Sequence, residues 1–200
     1  MPLARLLSFV IKPLPVLLAA LWVLRARPLP SSRYRRLMLV GLLFGALGDV
    51  LLILPHLFFF GLVAFLIGHV WYAVAFALEG ARPRPASLAG PLLFAGAVIA
   101  GLWPGLGTLQ IPVLCYVGAI GVMAGLAIDQ WRRAGSPGAA RAAAGACFFL
   151  ASDAALAWAK FRGPFGPPWV VGVVVLGTYY VAQALLASSV GQGAPAAPAA

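Results

Sequence analysis

Charge is what this sequence has least of. Only 9% of its 200 residues are charged, against roughly 25% in an ordinary soluble domain. There are four acidic residues, Asp49, Glu79, Asp129 and Asp153, two lysines, Lys12 and Lys160, and two histidines, His56 and His69. Two isolated histidines make a poor metal site, and neither a metal nor a cofactor is called for. The two cysteines, Cys115 and Cys147, lie in apolar runs without metal-type spacing. They are expected to be free, packed thiols.

What remains is overwhelmingly apolar: 63% of the residues are hydrophobic. A bilayer core of about 30 Å takes roughly 20 apolar residues per helix, so the length allows seven or eight passes. A soluble domain of this size leaves too much surface exposed to hide that many. The fold class is therefore all-α, a polytopic membrane helical bundle of about seven transmembrane helices. The net charge of +10 would suggest nucleic acid in a soluble protein. Here the arginines fill short gaps between apolar segments and are read as topology signals instead.

Seven apolar segments can be drawn, roughly 5–25, 37–54, 57–79, 86–103, 108–130, 139–160 and 167–189. A helix buried in lipid is apolar all round, so periodicity adds little. The breaks mark the boundaries: Pro28-Leu29-Pro30, Pro55-His56, Arg82-Pro83-Arg84-Pro85, Trp103-Pro104-Gly105, Gly135-Ser136-Pro137-Gly138 and Gly163-Pro164. Residues 1–190 are expected to form one transmembrane domain, and residues 191–200 a disordered low-complexity tail. The first segment carries Lys12 and leads into arginines, so it is read as a retained helix.

Positive charge sets the orientation. Arg25, Arg27, Arg33, Arg35 and Arg36 flank the first loop, Arg82 and Arg84 occupy the third, and Arg132, Arg133 and Arg141 the fifth. The positive-inside rule puts these loops in the cytoplasm, with the N-terminus outside and the C-terminus inside. An abundance of Ala, Gly, Pro and Arg suits a GC-rich genome and a bacterial cell (inner) membrane.

The costly residues point to function. Glu79 and Asp129 fall at helix ends and are read as solvated boundary charges. Asp49 and Asp153 lie inside apolar runs, where an aspartate costs about 2.5–3.5 kcal/mol at mid-helix. His69 sits near the middle of the third segment with Tyr72 one turn away, and Gln183 shares a face with Tyr179 and Tyr180. In the expected orientation Lys12, Asp49, Tyr116 and Asp153 occupy the outer half of the membrane, and His69 and Tyr179 lie near its middle. Polar groups from most of the helices at similar depth suggest one shared, partly hydrated pocket. The small-residue spacings Gly41-xxx-Gly45-xx-Gly48 and Gly145 read mainly as close-packing signals.

Several stretches occur together in order: Lys12-Pro13-Leu14, Gly48-Asp49-Val50-Leu51-Leu52, Phe65-xxx-His69-xx-Tyr72-xxx-Phe76, Gly145-Ala146-xx-Phe149-xx-Ser152-Asp153-xx-Leu156-Ala157 and Tyr179-Tyr180-xx-Gln183. This ordered set resembles the YhhN family, which includes the transmembrane lysoplasmalogenases, from Lys12 to about Leu186. The resemblance implies a multi-pass hydrolase acting on the vinyl ether bond of lysoplasmalogens. Its products would be a fatty aldehyde and glycerophosphoethanolamine or glycerophosphocholine, and its partners a lysophospholipid substrate and membrane lipids.

Vinyl ether hydrolysis needs one acid to protonate the β-carbon and one base or anion to serve the attacking water. Glycosidases divide similar labour between two carboxylates. Asp49 and Asp153 are the expected pair, one kept neutral by apolar surroundings and the other ionised beside a cationic or hydrogen-bonding neighbour. Lys12 or His69 would be that neighbour or bind the phosphate. Tyr72, Tyr179, Tyr180 and Gln183 would orient water and the glycerol hydroxyl, and Tyr116 and Ser152 would complete the substrate site. The alternative is a proton-coupled or small-molecule lipid transporter using the same cluster, although inverted repeats and broken helices are not evident. A structural lipid-binding protein is a further option. A retinal photoreceptor is remote, because the last segment has no lysine.

Overall fold

The computed structural model describes residues 8–26 and 32–191. Arg5, Arg27, the Pro28–Pro30 break and nearly all of the low-complexity tail lie outside the described residues. Among the described residues seven long α-helices follow in order: α1 (Leu14–Arg25), α2 (Ser32–Leu51), α3 (Phe58–Leu78), α4 (Pro85–Leu102), α5 (Gln110–Ala134), α6 (Pro137–Phe161) and α7 (Pro168–Ser188). No strand occurs among the described residues.

The breaks act as their chemistry requires. Pro85, Pro137 and Pro168 stand in the first turns of α4, α6 and α7, where a missing N–H costs nothing and the fixed φ is already helical. Gly135 ends α5 in the left-handed region at φ 59°, which favours glycine. Ser136 then caps α6, its hydroxyl accepting from the Ala139 N–H at 3.2 Å.

Six of the seven helices are long and apolar enough to cross a membrane, the first counted from Ser8 to Arg25. The other is α2. It begins earlier than the expected 37–54 segment because Arg33, Arg35 and Arg36 are drawn into its first turns, and it carries Asp49 near its far end. Its position makes up for its polarity: α2 packs extensively on α3 and also touches α1 and α7. The remaining contacts, α3 on α5, α5 on α6, α6 on α7 and α7 on α1, close a ring, and α4 lies outside it against α5 and α6. The chain is a multi-pass membrane protein.

Large apolar side chains cover the outside, among them Leu93, Ile111, Trp169 and Val173. Cys115 and Cys147 are free but exposed on this surface, not packed as the sequence reading expects. A surface meant for lipid is itself apolar, so small hydrophobic thiols need no burial there. The core holds Phe65, Tyr72, Phe76, Tyr116, Phe149 and Tyr179.

Glycines let the helices meet. A Cβ at Gly41 would come within 2.3 Å of the Tyr72 ring, and one at Gly45 within 2.5 Å of Gln183 Nε2. The small-residue stripe of α2 therefore makes room for polar side chains from α3 and α7 as well as for backbone approach.

Candidate functional site

Asp49 and Asp153 line the same cavity. It measures about 620 Å³, and its walls also include Lys12, Phe65, Ser152, Lys160 and Tyr179. Pro55, Pro164 and Pro168 line it as well, so it lies towards the end of the bundle opposite the arginine-rich α1–α2, α3–α4 and α5–α6 turns. Asp49 is 5% exposed and the Asp153 side chain 14%. Helices α2 and α6 each deliver one carboxyl from a position inside the apolar run.

Asp49 ends a hydrogen-bond chain that crosses three helices. The Tyr72 hydroxyl on α3 donates to Gln183 Oε1 on α7 at 2.8 Å. Gln183 Nε2 donates to the Tyr179 hydroxyl at 3.2 Å, and that hydroxyl donates to Asp49 Oδ2 at 2.9 Å. Tyr179 and Gln183 sit four residues apart on one face of α7, which is why both can join the chain. Only Tyr179 of these three donors reaches the cavity wall; Tyr72 and Gln183 stand behind it. In a medium without competing water, such a fully satisfied network holds its members in one arrangement.

Asp153 is held differently. The Tyr116 hydroxyl donates to its Oδ2, and His69 Nε2 lies 3.8 Å from the same oxygen, too far for a hydrogen bond. His69 is 1% exposed, and neither ring nitrogen has a hydrogen-bond partner among the described residues. Its ring packs edge-on against Phe149 and Tyr116, at centroid distances of 4.5 and 5.3 Å. Both oxygens of Asp153 would otherwise be free to rotate; Tyr116 pins one of them.

The other expected site residues take supporting positions. The Ser152 hydroxyl donates to the Val175 carbonyl at 2.9 Å, which ties α6 to α7. The Tyr180 hydroxyl donates to the Lys12 carbonyl at 3.1 Å and anchors the start of the first helix on α7. Tyr180 is not part of the cavity wall.

A second, narrow cleft of about 50 Å³ meets the cavity at Asp153. It shares Leu52, Phe58, Phe65, Asp153 and Leu156 with the larger space. Apart from Tyr116 its other walls are apolar, including Ala95, Ile120 and Leu150, and it reaches the outer surface at the exposed Phe94. Asp153 thus faces two environments, whereas Asp49 lines the larger one alone.

Two residues differ from the sequence reading. Asp129 is not a solvated boundary charge: it is 1% exposed. It accepts from the Arg82 backbone N–H at 2.8 Å and from the Ser87 hydroxyl, and it pairs with Arg84 and Arg133. A carboxylate near the end of α5 can be buried because the α3–α4 turn and the first turn of α4 bring Arg82, Arg84 and Ser87 to it, and Arg133 follows one turn later on α5. Lys160, to which the sequence assigns no role, lines the main cavity. Its position eight residues before Pro168 in the chain gives no hint of this, since the cavity is assembled from Lys12, just before α1, and from α2, α3, α6, α7 and the turns beside them.

Most of the chain is similar in sequence to known proteins. Lysoplasmalogenase TMEM86B of Homo sapiens is 36% identical over 185 residues, covering 90% of this chain and 73% of that protein. Lysoplasmalogenase TMEM86A of Homo sapiens is 36% identical over 156 residues, 75% of this chain. The match spans 63% of TMEM86A's own length, a little under two thirds. A lysoplasmalogenase of Mycobacterium bovis is 34% identical over 147 residues, 66% of this chain and 52% of that protein. No solved structure matches. The model of the YhhN family matches residues 7–190, nearly every residue that builds the bundle and its cavity, and the chain belongs to the YhhN family.

Proposed function

We propose that this protein is an integral-membrane hydrolase that cleaves the vinyl ether bond of lysoplasmalogen-type lysophospholipids. The observation that carries the reading is the convergence of Asp49 and Asp153, from separate helices, on one cavity in an otherwise apolar bundle. The lysoplasmalogenase activity for which its relatives are named supports the same chemistry.

In this scheme a protonated carboxyl gives its proton to the β-carbon of the vinyl ether, forming an oxocarbenium ion. The other, ionised carboxyl takes a proton from water as the water oxygen bonds to the α-carbon. The resulting hemiacetal gives its hydroxyl proton to the first carboxylate and releases the glycerol oxygen as an alcohol, which takes the proton held by the second carboxyl, so that both return to their starting states. The products are a fatty aldehyde and glycerophosphoethanolamine or glycerophosphocholine, for the net consumption of one water. Asp153 is the better acid candidate. The β-carbon belongs to the hydrocarbon chain, and Asp153 borders the apolar cleft, which suits the first carbons of that chain while the rest extends into lipid past Phe94. Asp49, aligned by Tyr179 on the lysine-bearing side, suits the water. Tyr116 and His69 position Asp153, and Tyr72 and Gln183 support Tyr179.

The arginine-rich turns favour the cytoplasmic face of a bacterial inner membrane, so the cavity opens towards the opposite side. The test is direct: purified protein is incubated with a lysoplasmalogen and free aldehyde is measured. Aldehyde release by wild type, lost in Asp49→Asn and Asp153→Asn, supports the hydrolase. Saturable binding with no aldehyde, or transfer of intact lipid between leaflets, refutes it and favours a carrier.

A further inference from the structure

Both lysines of this sequence line the cavity that holds the two buried aspartates. They come from opposite ends of the chain, Lys12 just before α1 and Lys160 in the last turn of α6. Among the described residues neither is paired with a carboxylate. Lys160 is exposed, and its Nζ rests 4.8 Å from the centroid of the Phe58 ring, which also belongs to the cavity wall. An ammonium over a ring face is weakly held and readily exchanges that contact for an anion. The rest of the wall is largely apolar, with Leu52, Leu156 and Leu176 among its members. A ligand suited to this lining carries one anionic group and one hydrocarbon chain.

We infer that Lys160, together with Lys12, is the subsite for the phosphodiester of a single-chain phospholipid. The inference rests on reading the cavity as a lysophospholipid site and goes beyond it by naming what holds the head group. With three donors on a flexible stem, each ammonium can meet phosphate oxygens without a fixed approach angle. The phosphate sits on the lysine side, the chain crosses towards the apolar cleft, and the bond between them spans the two carboxyls.

The experiment measures binding, not turnover. Purified full-length protein in detergent is titrated with a saturated 1-O-alkyl glycerophosphocholine, which has no vinyl ether to cleave, and tryptophan fluorescence is followed. An alkylglycerol of the same chain and chainless glycerophosphocholine are titrated in parallel. Wild type is expected to bind the phospholipid about tenfold or more tighter than the alkylglycerol, the range of a charge-assisted contact. Lys160→Gln removes most of that difference and leaves the alkylglycerol unchanged, whereas Lys160→Arg retains most of it. Unchanged phospholipid affinity in Lys160→Gln, or equal weakening of both chain-bearing ligands, overturns the subsite. Glycerophosphocholine binding as tightly as the phospholipid overturns its assignment to a lipid. The two readings fail separately. Phosphate discrimination by Lys160 without aldehyde release from a lysoplasmalogen ends the hydrolase alone, and aldehyde release with unaltered Lys160→Gln binding ends this subsite alone.

Discussion

Tyr179 donates its hydroxyl to Asp49 Oδ2 at 2.9 Å while accepting from Gln183 at 3.2 Å. One phenol therefore connects a cavity carboxyl to a buried network that spans α2, α3 and α7. Removing different members of the network should have different consequences.

Asp49→Asn and Asp153→Asn preserve shape and remove the acid–base function. Each is expected to lower the rate of aldehyde release by about 10²–10⁴-fold or more, the usual contribution of general acid–base catalysis. Size-exclusion profiles matching wild type would establish that the variants fold. Near-normal rates in both would end the two-carboxyl scheme.

Tyr179→Phe removes the donor that aligns Asp49. A hydrogen bond to a charged group is worth about 1.5–3 kcal/mol, so kcat should fall by about 10- to 100-fold. Tyr72→Phe instead leaves Gln183 Oε1 without its donor, one layer from the cavity. That variant should melt at lower temperature, with kcat reduced far less. Equal losses of kcat in the two would show that the outer members of the chain act on the reaction as strongly as Tyr179.

Gly45→Leu tests the glycine stripe. Even the first added carbon would lie 2.5 Å from Gln183 Nε2 and 3.3 Å from the Tyr179 hydroxyl. Overpacking of this kind costs about 1–3 kcal/mol, and it pushes on the residues that hold Asp49. The expected result is a lower melting temperature together with reduced turnover. Gly90→Leu, where an added Cβ meets nothing, is the control and should change neither.

Asp129→Ala should affect stability alone. It strips the Arg82 N–H and the buried Ser87 hydroxyl of their acceptor, and an unsatisfied buried group such as the Ser87 hydroxyl costs about 1–3 kcal/mol. Thermal unfolding in detergent should shift downwards while KM and kcat of the surviving fold stay near wild type. A selective loss of activity would assign this end of the bundle a part in the reaction.

Ala95→Phe narrows the apolar cleft beside Asp153. Comparison of kcat/KM for short- and long-chain lysoplasmalogens should reveal a shift towards the shorter chain. Parallel losses for both lengths would mean that the chain lies elsewhere.

Much of this was readable from residue order. Each aspartate inside an apolar run had to find a partner or water, and both did. The α2 glycines read as a packing signal, but nothing in their spacing says that Tyr72 and Gln183 are the groups they admit. Asp129 misled because proximity to a helix end suggests solvent, whereas a turn from elsewhere in the chain supplied its donors. Lys160 carries no signal in the sequence for a related reason: near a span terminus an ammonium normally reaches water, and only the neighbouring helices turn that position into a cavity wall.

Composition alone determined that this chain is a bundle of membrane helices, because the cost of exposing that much apolar surface to water is additive and needs no knowledge of packing. It also determined which few side chains must be accounted for. Tertiary structure alone decided that Asp49 and Asp153 share one space, that Tyr179 and Tyr116 each hold one of them, and that Lys160 joins Lys12. Those relations depend on how each helix is rotated about its axis, and in an all-apolar helix the sequence carries almost no rotational signal.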